Sequence, residues 1–140
     1  MAITQAMCSS FKQQLFLAEH DMDTDTFKIA LYTSAASLDA STTVYTTSNE
    51  VASGGGYTTG GNTLSGATVS LTGTTAFVDF SDTSWTTATI TARGALIYNS
   101  SKSNKAVAVL DFGSDKISTG GTFTIQFPVN DSTNAILRIA

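Results

Sequence analysis

Residues suited to catalysis or crosslinking are scarce in this chain: its 140 residues hold one cysteine, one proline, one histidine and one tryptophan. The single cysteine, Cys8, excludes an internal disulfide, and beside Met7 and Phe11 it is expected to pack as a small hydrophobe. Imidazole catalysis has only His20, at an expected helix end, and no Gly-x-Ser-x-Gly elbow accompanies it. Charge is also sparse, at 13% of residues, with a net charge of −4 and a pI near 4.6. The basic residues are few and scattered, so a phosphate-binding stripe is absent and a nucleic-acid partner is not expected. No apolar run exceeds LFLA or AVAVL, far short of a membrane span. The opening MAITQAMCSS lacks the basic start and apolar core of a secretion signal, which implies synthesis and folding in a cytoplasm.

Hydroxyls fill the space left by charge, with 24 Thr and 17 Ser. Threonine is β-branched and suits a pleated surface. The length fits one domain over 1–140 with a core that needs neither disulfide nor metal. An N-terminal helix is predicted over 4–20, because Met7, Phe11, Leu15 and Ala18 share one face, with Thr4 as N-cap and Lys12, Gln13 and Gln14 on the wet side. Beyond it the period changes to two. Phe27, Ile29 and Leu31 alternate with polar or small neighbours, as in a strand buried on one face. Further strands are predicted at 67–72, 76–81, 89–99, 105–112, 122–129 and 134–139, and Pro128 predicts an edge or a strand end. Residues 34–66 have little periodicity and six glycines, and they predict an extended Gly/Thr-rich arm with short strands near Asn49–Ala52 and Asn62–Leu64. The sum is a mainly β chain, an antiparallel β-sandwich of jelly-roll-like type with one N-terminal α-helix. Its expected core includes Val69 and Leu71 together with Phe27, Ile29, Leu96 and Val109.

The sharpest chemical motif is HDMDTDTF at 20–27, where Asp21, Asp23 and Asp25 alternate like the opening of a calcium loop. The sixth and twelfth positions of such a loop need Gly and Glu, and Thr26 and Tyr32 stand there instead. The three aspartates are therefore weak metal candidates, and the plainer expectation is a solvated helix-to-strand connection with His20 as a surface helix-end histidine. Asp79 and Asp111 form the one pair considered for acid–base work, against a simpler reading as outward aspartates at strand ends. GGGYTTGG at 54–61 has neither phosphate-binding spacing, so no cofactor is expected. Phe11 and Leu15 on the helix, Tyr57 in the arm and Trp85 are the interface candidates, aromatic side chains being frequent carriers of binding energy.

Residues 92–113, ARGALIYNSSKSNKAVAVLDFG, with 26–51 and FTIQFP at 123–128, resemble small virion structural proteins of tailed bacteriophages over nearly the whole chain. The resemblance implies a non-enzymatic particle component, a capsid decoration or cement protein seated between capsomers of an HK97-type shell. It implies the virion as location, the major capsid protein and other copies of itself as partners, in a dimer or trimer, and no catalytic residues. A tail, neck or fibre component is the nearest alternative. A carbohydrate-binding sandwich is a further one, and it requires Trp85 and Tyr57 exposed on one face. Deleting residues 52–61 is expected to leave a folded domain that no longer decorates capsids.

Overall fold

The structure, a computed structural model, describes residues 2–140. In chain order the elements are β1 (Ala6–Met7), α1 (Ser9–Phe16), β2 (Phe27–Tyr32), β3 (Asn62–Thr63), β4 (Thr68–Thr72), β5 (Thr75–Asp79), β6 (Thr83–Asn99), β7 (Lys105–Ile125) and β8 (Leu137–Ile139). They build a five-stranded sheet, β1-β7-β6-β2-β3, and a three-stranded sheet, β4-β5-β8. Every pairing between these strands is antiparallel. Two antiparallel sheets and one short helix are the mainly β architecture that the periodicity predicts.

The β6–β7 hairpin is the spine of the larger sheet. Its apolar ends pair closely, Leu96 with Val109 and Trp85 with Phe123. Strand β7 joins two predicted strands through an exposed middle, and its register with β6 breaks at four places. It ends at Ile125, before Pro128, and the amide of Phe127 instead reaches Asp82 Oδ1 at 2.8 Å.

The helix is shorter than predicted. Residues before it are drawn into β pairing: Ala6 and Met7 lie opposite Val109 and Ala108, and Ile3 bridges Leu38. Cys8, extended at φ −65° and ψ 136°, is the N-cap, not Thr4. At the other end Glu19 N–H donates to the Gln14 carbonyl and Ala18 N–H to that of Leu15, the two bonds of a Schellman stop. That stop puts Ala18 at φ 57°, exposed, where a Cβ is disfavoured. Ala18→Gly is expected to raise stability by about 0.5–1 kcal/mol in urea unfolding.

Strand β2 and the end of β6 from Gly94 onward are buried on both faces, against the one-sided strand predicted at 27–31. Alternation puts Phe27, Ile29 and Leu31 on one face and Lys28, Ala30 and Tyr32 on the other. The first face packs toward the small sheet, with Phe27 against Phe80 at 5.9 Å. The second is roofed by residues 34–66. Tyr45 stacks on Tyr98 at 4.5 Å, and Tyr32 Oη–H donates to the Thr46 carbonyl at 2.6 Å. Ala36, Leu38, Val51, Tyr57 and Leu64 are all buried in the core. The predicted projecting arm is thus packed onto the domain, over that face and along the free edge of β2. Its backbone is tied down by Val51 N–H to Leu31 O, Leu64 N–H to Phe27 O and Thr89 N–H to Gly55 O.

Val69 and Leu71 depart from the predicted core in the opposite sense, at 56% and 71% exposed. β4 is the outer strand of the small sheet, and no strand among the described residues pairs with its outer edge.

Candidate functional site

Glu50 is the one buried acidic residue, and all four tyrosines of the chain gather around it. Tyr45 Oη–H donates to Glu50 Oε1 at 2.6 Å, Tyr57 Oη–H to Oε2 at 2.6 Å, and the amide of Gly60 to Oε2 at 2.7 Å. Tyr57 Oη in turn accepts the amide of Leu31 at 2.9 Å, and Tyr98 Oη–H donates to the carbonyl of Gly60 at 2.6 Å. The network closes on β2 and β6 from the roofing layer. No cation within ion-pair distance balances Glu50 among the described residues. Three donors do so instead, as a buried carboxylate requires. Burial first, and the Glu50 charge after it, hold Tyr98 up to about 12 and push Tyr32 up, while for Tyr45 and Tyr57 burial is followed by the hydrogen bond each gives Glu50. The phenols stay protonated donors, so the arrangement is a latch without a reactive group.

Gly61 lets the latch close. Its φ is 77°, and a Cβ there would lie 1.7 Å from the carbonyl oxygen of Ile29. Only glycine allows the chain to run so near β2.

HDMDTDTF forms a second inward-bonded corner. Asp21 Oδ1 accepts the amides of Asp23 at 3.0 Å and Thr24 at 3.3 Å. Asp25 Oδ2 accepts from the amide of Asp21 at 3.0 Å and from Asn99 Nδ2 at 2.7 Å. Hydrogen bonds, that from Thr24 foremost, hold the Asp21 carboxyl below its ordinary value. For Asp25 burial acts upward, and its hydrogen bonds with the Lys102 charge more than reverse it. The carboxylates of Asp21 and Asp25 are thus spent on the fold, and no group of three or more metal-binding side chains occurs among the described residues.

His20 is not the solvated helix-end residue predicted. It is 8% exposed, with its ring centroid 4.8 Å from that of Phe11. Asn99 Oδ1 accepts the amide of Ser101, so Asn99 Nδ2 faces His20 Nδ1 at 3.0 Å. Nδ1 must then accept, and Nε2–H donates to Gln14 Oε1 at 2.8 Å. Burial, then the Lys105 charge, depress the His20 pKa, opposed by Asp25 and Glu19. The folded state therefore binds this proton less readily than the unfolded chain. Its contribution to stability is present above about pH 6.5 and lost as pH falls through the lower folded value. A His20→Gln variant is expected to be less stable at pH 7.5 yet to show a shallower loss than the native chain between pH 7 and 5.5. Equal slopes in chemical denaturation would exclude the assignment.

The remaining candidates fall apart spatially or are enclosed. Asp79 lies in the small sheet and Asp111 in the large one, the latter 3.3 Å from Arg93 Nε. Burial raises Asp79, while the Gly113 amide foremost lowers Asp111. Burial also pushes the Cys8 thiol up to about 11, which suits packing and not reaction. Phe11, Tyr57 and Trp85 are core residues, and of the four interface candidates only Leu15 is partly exposed. Tyr57 and Trp85 touch each other at 5.8 Å, and neither ring is free to stack on a sugar. The 52–61 deletion would remove Tyr57 and Gly60 from beneath Glu50, so it is no longer expected to spare the fold. Sequence reasoning missed Glu50, Asn99 and Gln14. The available signal for Glu50 was a single Glu in a charge-poor stretch, flanked by Tyr45 and Tyr57.

No helix among the described residues is long and apolar enough to cross a membrane. Compared with known proteins, the chain matches no family model, no curated sequence and no solved structure.

Proposed function

We propose that this chain is a non-enzymatic structural component of a tailed-bacteriophage particle, a capsid decoration or cement protein that binds between capsomers of an HK97-type shell. The sequence resemblance suggests the class. The observation that carries the reading is where the polar chemistry points. His20, Glu50 and the four tyrosines are bonded inward and hold layers together. The outside offers hydroxyls and exposed apolar side chains such as Phe16 and Leu71. That distribution suits a rigid block used for contact, since a preformed surface loses little entropy on binding.

A cement protein acts by mass action. It binds the assembled lattice and not the free subunit, and so favours the assembled state. Repetition by symmetry turns weak contacts into avidity. The test is to count this chain in purified particles and to measure its binding to expanded shells and to unassembled coat subunits. Hundreds of copies and shell-selective binding are expected. A handful of copies would point to a tail, neck or fibre part, and absence from particles would overturn the reading.

A further inference from the structure

We propose that β4 is a self-association edge, through which two copies of this chain pair antiparallel about a twofold axis at Ser70.

The sheets leave several edges free, and all but one are guarded. β1 and β3 have two residues each and β8 three, the last carrying Arg138. The distal part of β7 carries Asp111, Asp115 and Lys116 and is broken in register. Charges, short length and bulges are the usual means by which an edge avoids pairing with another chain. β4, Thr-Val-Ser-Leu-Thr, has none of them. It holds no charge, proline or glycine, and its register with β5 runs unbroken from Thr68–Asp79 to Thr72–Thr75.

The hairpin geometry decides which groups it offers. Gly73 and Thr74 form a two-residue turn, so the closing pair Thr72–Thr75 is of the hydrogen-bonded kind, as are Ser70–Phe77 and Thr68–Asp79 by alternation. The backbone N–H and C=O of Val69 and Leu71 therefore face outward. A twofold at Ser70 sets Val69 against the partner's Leu71, and Leu71 against the partner's Val69, each a doubly hydrogen-bonded pair. Thr68 meets the partner's Thr72, and no like charges oppose one another.

The same register covers what the monomer leaves bare. Val69 and Leu71 lie on one face of β4, and their side chains would meet across the new junction. That face continues through Ala76 to Ile139, which is 54% exposed. The result is one six-stranded sheet with a continuous apolar row, for which a second copy of this chain has the matching shape and the matching lack of charge. The pairing stands independently of particle assembly: loss of shell binding with β4 pairing intact, and the reverse, are separate results.

The test is sedimentation equilibrium of the full chain, with two substitutions at the axis. The native chain is expected to dimerise, and Ser70→Lys to be monomeric with an unchanged circular dichroism spectrum. Ser70→Cys is the second readout. Across a non-hydrogen-bonded antiparallel pair the Cα atoms lie about 4.5 Å apart, within disulfide reach. Mild oxidation should give a covalent dimer, whereas Thr119→Cys on the distal part of β7 should not. A monomeric native chain, a dimer that survives Ser70→Lys, or a Ser70→Cys chain that does not crosslink would each overturn the proposal.

Discussion

Gly61→Ala is expected to lower stability by about 4 kcal/mol or more, bringing its urea midpoint far below that of the native chain. The added Cβ would fall 1.7 Å from the Ile29 carbonyl oxygen and 2.8 Å from Ala30 Cα, both backbone atoms of a central strand. Neither can give way without moving β2. Relief requires lifting residues 60–63 off the sheet, which breaks the β3 pairing and both bonds at Gly60. A positive φ adds about 1–2 kcal/mol for any residue with a Cβ. The sum is about 4 kcal/mol or more, a large part of the roughly 5–15 kcal/mol that stabilises a domain. Gly54 is the control: its φ is also positive, but a Cβ there meets nothing within 4 Å. Gly54→Ala should lose only the backbone cost. Urea midpoints of the two variants separate the contributions, and a Gly61→Ala midpoint close to that of Gly54→Ala would mean that the segment is not held against β2.

Glu50→Ala is expected to cost about 3–5 kcal/mol, because it strands donors that the fold has already dehydrated. The hydroxyl of Tyr57 and the amide of Gly60 lose their acceptor inside the molecule, and Tyr45 loses its own nearer the surface. Glu50→Gln keeps the shape and one acceptor oxygen, and should fall between the two. Tyr57→Phe removes both the donor to Glu50 and the acceptor for Leu31 N–H, so its loss should not add to that of Glu50→Gln. Additive losses in that double-mutant cycle would show that the latch does not act as a unit.

These effects fall in the part of the chain least readable from sequence. β2, β6 and the start of β7 are legible because apolar β-branched residues recur with period two, and packing follows that period. The roof over β2 and β6 has no such signature. Glu50 meets partners at 45, 57 and 60, separations that match neither helix nor strand, so a Thr-, Ser- and Gly-rich stretch reads as a loose arm. β2 reads as one-sided in the sequence because Tyr32 and Ala30 are covered by residues distant along the chain.

Periodicity misleads in two places. At the N-terminus Met7, Phe11 and Leu15 have helical spacing, but the preceding residues gain more by pairing with β7 and bridging Leu38. In β4, Val69 and Leu71 have core spacing, but the strand is an edge with no further strand paired to it. His20 fails for a third reason. Its neighbours in sequence are charged, yet its bonding partners are Gln14 on the helix and Asn99 at the end of β6.

Residues 34–66 are clamped onto the domain. Native-state hydrogen exchange tests this clamping most directly. The amides of Leu31, Val51, Gly60 and Leu64, all bonded across the roof, should exchange on the slow timescale of Leu96 in β6. Exchange of Val51, Gly60 and Leu64 at the rate of a free chain, with Leu96 still protected, would contradict it.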